Sequence, residues 1–318
     1  MAMPRVIFFG SPDFSVPSLK ALHGSAYRPE LVVTQPDRPA GRGRKSSPTA
    51  VRKAAEELGL PVMVMKSFKD EGAFERLAGL KPDLFIVAAF GLIFPRKALE
   101  LPVVSCVNVH ASLLPRWRGA SPINMAVAAG DSMTGISIMR MVKALDAGPV
   151  YARRSVPIGP EDTAGDLFDR LADEGGPLLV ETLDRIIGEG LAPEEQSEDG
   201  VTFAPLLKKS DGLIDWNKEA AAVHNHIRGM NPWPGSHTRA GKRLIKIHRS
   251  EPCDGGSGGA QPGKVIRAAD GIIEVACAEG AVRLIVLQAE GRKVLPADEF
   301  LRGAGLREGT VLGGEGDE

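Results

Sequence analysis

At 318 residues the chain is long enough for two domains, its 43% hydrophobic and 25% charged content is that of a soluble globular protein, and no apolar run approaches the ~20 residues of a membrane-spanning helix. A formal net charge of −1 neither favours nor excludes nucleic acid, so the charges must be read by position. Cys106, Cys253 and Cys277 lie far apart with no C-x-x-C pair, which argues against a zinc knuckle or a disulfide framework. Met1–Arg5 leads straight into a strand pattern without the apolar core of a signal peptide, so a cytoplasmic location is expected.

In chain order, Val6–Gly10 is an apolar run that predicts a first strand, followed by a turn at Ser11-Pro12-Asp13 and a helix over Phe14–Leu22. Leu31–Thr34 is a second strand. Gln35–Lys45 is filled with prolines, glycines and charges that exclude helix and core strand, and it gathers Arg38, Arg42, Arg44 and Lys45. Val51–Leu58 is helical and Val62–Val64 is a third strand. Asp83–Gly91 is a near-continuous apolar run, typical of a strand covered on both faces. Val103–Val109 predicts another buried strand, Ile123–Ala129 a helix and Thr134–Val142 a strand. Strands alternating with helices specify a mostly parallel α/β sheet.

Thr163–Ile187 has helical periodicity, and the acidic, aperiodic stretch Gly188–Gly200 is placed as a linker. Asn217–Met230 predicts a helix stopped by Asn231-Pro232-Trp233-Pro234. Leu244–Ile247, Gly263–Ile266, Ile272–Val275 and Val282–Val286 predict short strands between Gly, Asp and Ser turns, the pattern of a small barrel or sandwich. Asp254–Gly259 is a Gly/Ser loop expected to be mobile. Leu207–Arg307 holds 16 Lys/Arg against 11 Asp/Glu, a net of +5 that the acidic tail hides in the total. Arg239, Lys242, Arg243, Lys246 and Arg249 form an acid-free cluster there. Such patches can hold a phosphate backbone, and the alternative is a solvated face.

Two phosphate-binding motifs fail on inspection. Gly10 is followed by Ser11 and Pro12 without the further glycines of a dinucleotide fingerprint. Gly258–Lys264 spells G-x-x-x-x-G-K, but Val265 replaces Ser/Thr and a strand pattern follows. His224 and His226, two apart on a helix, face different directions and are expected to be packing residues. Asn108 and His110 are different. They share one face at the exit of a core strand, where polar donors are costly unless used. Asp146 follows another strand, and in open α/β sheets ligands bind beyond the carboxyl ends of the strands. An amide donates to a developing oxyanion, an imidazole donates or carries a proton, and a carboxylate accepts one. No Ser or Cys nucleophile stands beside His110, which favours direct transfer between two bound substrates.

Asn108-x-His110 followed by Ser112-Leu113-Leu114-Pro115 and Gly119, with the Asp146-x-Gly148 segment, resembles the motifs of the folate-dependent formyltransferases. Thr34–Gly43, Gly10–Phe14 and Asn231–Pro234 are similar to segments of the tRNA-acting branch, and the resemblance runs from Val6 to about Leu312. Ala147 stands where threonine is common, and Phe90 where tyrosine is. Asp-Ala-Gly also occurs in sugar-nucleotide relatives, but these lack the Arg38-to-Arg44 loop. The resemblance implies a Rossmann-like catalytic domain over residues 1–187, a linker over 188–206 and an OB-like β-barrel over 207–318 that binds tRNA. It implies 10-formyltetrahydrofolate as a consumed co-substrate and the amino group of methionine on initiator tRNA as acceptor. Asn108, His110 and Asp146 are then catalytic. Folate is expected against Phe90, Gly91, Leu92, Ser112, Leu113, Leu114 and Pro115. Arg38, Arg42, Arg44, Lys45, Lys242, Arg243 and Lys246 are expected on tRNA. No metal is expected, and a monomer is. Competing readings are a formyltransferase for a sugar-nucleotide amine, a dinucleotide-dependent oxidoreductase and a non-catalytic RNA-binding protein.

Overall fold

The computed structural model of the chain describes residues 3–40, 45–253, 258–304 and 306–313, with residues 38–40, 45, 46 and 304 described by their backbone. In chain order the elements begin β1 (Val6–Gly10), α1 (Ser15–His23), β2 (Pro29–Thr34), β3 (Arg38–Ala40), β4 (Lys45–Ser47), α2 (Ala50–Glu57), β5 (Val62–Val64), α3 (Ala73–Gly79), β6 (Leu84–Ala88) and α4 (Arg96–Leu99). They continue with β7 (Ser105–His110), β8 (Arg118–Gly119), α5 (Pro122–Ala128), β9 (Met133–Arg140), β10 (Val150–Pro157), α6 (Ala164–Glu189) and β11 (Phe203–Ala204). The last are α7 (Ala220–Gly229), β12 (His237–Ala240), β13 (Arg243–Cys253), β14 (Val265–Ala269), β15 (Ile272–Ala276), β16 (Ala281–Ala289), β17 (Val294–Pro296) and α8 (Ala297–Ala304). Packing divides the chain into two compact units, one of Met1–Pro122, Thr134–Pro157 and Phe168–Ala204, the other of Ile123–Met133, Ile158–Leu167 and Pro205–Glu318.

The main sheet of the first unit has the order β10-β9-β7-β6-β1-β2-β5. Strands β5, β2, β1, β6 and β7 are parallel, and β9 joins β7 antiparallel. Every residue of β1 and β6 is buried, as a strand covered on both faces requires. The Phe9 ring sits 4.8 Å from Phe85, 5.4 Å from Phe90 and 5.1 Å from Phe94. Burying one such ring contributes about 2–3 kcal/mol. The chain builds outward from β1 through β2 and β5, then returns to the other flank of β1 with β6 and β7. The carboxyl ends of β1 and β6 thus form a topological switch point, the usual place for a ligand.

Four departures from the sequence pattern have local causes. Strand β7 starts at Ser105, because the amides of Val103 and Val104 bond the carbonyls of Pro82 and Asp83 and leave both side chains exposed. Strand β10 escapes notice because Arg153 and Arg154 interrupt its apolar pattern; Arg154 is met by Glu174 and Glu181 of α6. The proline- and glycine-rich stretch after Thr34 contains a small hairpin, with Arg38 opposite Ser47 and Ala40 opposite Lys45. Residues 191–204 are part of the first unit: Glu194 bridges Val150, and β11 pairs with β8.

In the second unit β12-β13-β16-β15-β14 form an antiparallel sheet, with β17 also on β16. Ile245 and Ile247 of β13 point inward and Lys246 outward, the period of two that a half-buried strand needs. Val265, Ile273, Val275, Val282, Leu284 and Leu287 fill the core with Trp216, Val223, Ile227 and Phe300. The sheet curls, and the last described residues tie its outer strands together. Leu312 N–H donates to Gly263, Gly313 N–H to Arg239, and Leu312 bridges Ala240. Asn124 of α5 belongs to this unit through its amide bonds to the carbonyls of Gly229 and Trp233. Of the expected Gly/Ser loop, residues 254–257 lie outside the described residues. Among the described residues no helix is long and apolar enough to cross a membrane.

Candidate active site

Strand β7 delivers Asn108 and His110 to one face, opposite Val107 and Val109. Asn108 is half-buried, and its amide makes no hydrogen bond among the described residues. An amide with no partner in the protein is free to donate to a ligand. His110 has 6% of its side chain exposed. Its Nε2 lies 3.1 Å from the Trp117 carbonyl oxygen, which can only accept, so Nε2 carries the proton there. Its Nδ1 faces Asp146 Oδ2 at 3.8 Å.

Asp146 does not arrive by the route its place in the sequence suggests. Strand β9 is antiparallel to β7, so its carboxyl end, Arg140, lies beside Val107 rather than beside His110. The loop of residues 141–149 brings the carboxylate back. Arg140 N–H donates to the Pro149 carbonyl at 2.8 Å and closes the loop. Gly148 lies so close that an added Cβ would run into the Arg140 carbonyl oxygen, which explains the glycine of the Asp-x-Gly segment. Asp146 has φ +45°, a strained conformation for a residue with a Cβ, and its side chain is 15% exposed. Oδ2 accepts the Gly119 N–H at 2.9 Å.

Ala89 and Trp117, like Asp146, are non-glycine residues with positive φ, and they border the carboxyl ends of β6 and β7. Each such conformation costs about 1–3 kcal/mol and persists only when its surroundings hold it, which is why such residues gather at functional sites. Trp117 went unnoticed in the sequence, although it precedes the motif glycine Gly119. Gln196 had no signal at all: it lies in an acidic, aperiodic stretch, yet its amide bonds the carbonyls of Asp146 and Gly148.

The expected folate residues follow β6 and β7. The Phe90 ring is buried among Phe9 and Phe94, so what it offers outward is its backbone, whose carbonyl accepts from Gln35 Nε2 at 2.6 Å. Gly91 is exposed and Leu92 half-buried. Ile93 is 92% exposed and Leu145, beside Asp146, 65% exposed, two apolar side chains that sequence reading overlooked. Ser112 is locked, its Oγ donating to the Arg116 carbonyl and its own carbonyl accepting from Ser137 Oγ. Leu113 and Pro115 are half-buried, and Leu114 packs with Met139 and Val150.

The basic residues fall in both units. Arg38 and Lys45 lie on the β3–β4 hairpin, while Arg42 and Arg44 lie outside the described residues. Lys242, Arg243 and Lys246 are exposed on β13 and the turn before it. Arg249 of the same cluster pairs with Glu161 at 3.1 Å. His224 is a packing histidine, with ring nitrogens on Ser250 Oγ and the Pro160 carbonyl. The near P-loop match runs into β14, a strand. Among the described residues no group of His, Cys, Asp or Glu could hold a metal ion. Burial pushes the Cys106 thiol up, and Cys277 up to about 12, so neither is a ready nucleophile.

Comparison with known proteins gives concordant results. A family model described as formyl transferase matches residues 4–183, and one described as formyl transferase, C-terminal domain, matches residues 206–305. A methionyl-tRNA formyltransferase of Paracoccus denitrificans is 47% identical over 95% of this chain and 98% of its own. One of Citrifermentans bemidjiense is 42% identical over 97% of this chain and 96% of its own. Among solved structures, the N-formyltransferase from Helicobacter canadensis in complex with folinic acid and dTDP-3-aminofucose superposes with a TM-score of 0.67 over 89% of this chain and 99% of that one, at 18% identity.

Proposed function

The chain belongs to the formyl transferase family, and from that premise we propose that it moves the formyl group of 10-formyltetrahydrofolate to the amino group of methionyl-initiator tRNA, a step of translation initiation. The observation that supports this reading is the approach of the Asp146 carboxylate to His110 Nδ1 at 3.8 Å, with Asn108 on the same face of β7 as His110. The acceptor is supported by relatives matched through the second unit as well as the first.

The neutral amine attacks the formyl carbon, and the carbonyl oxygen gains negative charge. Asn108 Nδ2–H donates to it, and of the two His110 ring nitrogens Nδ1 is the one left to face the reacting groups, because Nε2 is engaged by Trp117. One such donor typically contributes about 3 kcal/mol, roughly a hundredfold in rate. Asp146 accepts the proton that the amine loses, directly or through water. The oxyanion then collapses back to a carbonyl, the bond between the formyl carbon and the folate nitrogen breaks, and that nitrogen takes the proton that Asp146 had accepted. The exposed apolar side chains Ile93 and Leu145 are suited to the pterin ring or the methionine side chain.

The test is to incubate the protein with 10-formyltetrahydrofolate and methionyl-initiator tRNA and assay the amine. Formylation that disappears without the folate, and is weaker on elongator methionyl-tRNA, is expected. Formylation of a sugar-nucleotide amine with the tRNA untouched would overturn the acceptor.

A further inference from the structure

We propose that Gln196 is a positioning residue for the Asp146 carboxylate, oriented for that task by the buried Arg118. This inference rests on the functional reading above and adds a residue to it.

The Gln196 amide is fully committed. Nε2 donates to the Asp146 carbonyl and to the Gly148 carbonyl, both at 2.7 Å. Oε1 accepts from Arg118 Nε at 3.1 Å and Nη2 at 2.9 Å. The orientation of the amide is therefore not ambiguous. A guanidinium only donates, so Oε1 must face Arg118, and a carbonyl only accepts, so Nε2 must face the loop. Arg118 is buried, and both its Nε and its Nη2 donate to Gln196 Oε1.

The loop needs holding, because Asp146 adopts φ +45°. Gln196 clamps the carbonyls of Asp146 and of the residue two further on, on either side of Ala147. The same segment also fixes the other half of the site. Thr202 Oγ1 accepts the Trp117 N–H at 2.9 Å, the Thr202 carbonyl accepts the Arg118 N–H at 2.9 Å, and the Ala204 carbonyl accepts the Ala120 N–H at 2.7 Å. Trp117 O in turn holds His110 Nε2, and Gly119 N–H holds Asp146 Oδ2. Residues 196–204 thus brace His110 from one side and Asp146 from the other. Gly119 fits this strip only without a side chain, since a Cβ there would run into the Ala204 carbonyl oxygen.

The experiment compares Gln196→Met and Gln196→Glu with the wild-type chain in the formylation assay. Methionine keeps the length and loses every hydrogen bond. Glutamate keeps the Arg118 contact and turns an acceptor towards two carbonyls. Both are expected to lower kcat at least tenfold with KM for folate and for tRNA within twofold. In an Asp146→Asn background either substitution is expected to add less than a twofold further loss, because the group being positioned is already gone. A merely structural residue would multiply the two losses. Full kcat in both variants, a loss confined to KM, or losses that multiply in the Asp146→Asn background would overturn the proposal. If Gln196→Met does not fold, Gln196→Glu, which retains its partner, decides by the same criteria. A wild-type chain that formylates no acceptor overturns the functional reading itself, an outcome distinct from a wild-type chain that is active and indifferent to Gln196.

Discussion

At the residue scale the most informative side chain is the one without a partner. His110 and Asp146 are both restrained, by Trp117 and by Gly119, whereas the Asn108 amide is uncommitted. A donor that waits for charge to develop lowers the barrier and does little for the ground state. Asn108→Ala is therefore expected to reduce the single-turnover rate about a hundredfold, or ~3 kcal/mol, with the folate dissociation constant unchanged. Stopped turnover and a folate titration on the same preparation check this, and equal losses in both would contradict it. Gly148→Ala should act differently. Its methyl group would push Arg140 O and the loop apart, a kind of overpacking that costs about 1–3 kcal/mol. Melting temperature and kcat should fall together, and an unchanged melting temperature would show that the loop gives way freely.

At the scale of elements, what could be read in advance depended on whether a residue's neighbours are local. Strands β1, β6 and β7 are visible as apolar runs, and alternation alone puts Asn108 and His110 on one face. The approach of Asp146 is not visible, because it depends on β9 running antiparallel and on a loop that doubles back. Gln196 is less visible still, since its partners are backbone carbonyls about fifty residues away that any sequence supplies. Helix α7 carries a consequence of the same kind. Burial, more than any other cause, lowers the pKa of His226, whose Nε2 has no partner among the described residues. In the unfolded chain this group titrates near the ordinary value of about 6.5. Below that pH the unfolded state binds the extra proton first. The stability due to a neutral His226 is thus present above pH ~6.5 and is lost as the pH falls through the lower folded value. The melting temperature should drop between pH 7 and pH 5, and His226→Gln should make that drop smaller. A drop of the same size in the variant would locate the effect elsewhere.

At the scale of the whole molecule the proposed tasks separate: chemistry in the first unit, backbone grip in the second. Lys242 and Lys246 are exposed and far in sequence from every residue assigned to the reaction. If they neutralise phosphates of the tRNA, each releases counterions on binding, and the apparent affinity falls with salt by about 0.9 log units per tenfold salt for each contact on duplex. Replacing both by alanine should then raise KM for tRNA at low salt and flatten the plot of log KM against log salt by about 2, with kcat at saturating tRNA and folate binding unchanged. Arg42, from the first unit, should break that pattern. It lies between Gly41 and Gly43 and is expected at the acceptor end, so Arg42→Ala should lower kcat on charged tRNA while folate binding is kept. A salt plot of unchanged slope in the double lysine variant would mean that those cations face solvent in the complex, and that the backbone is held by other residues.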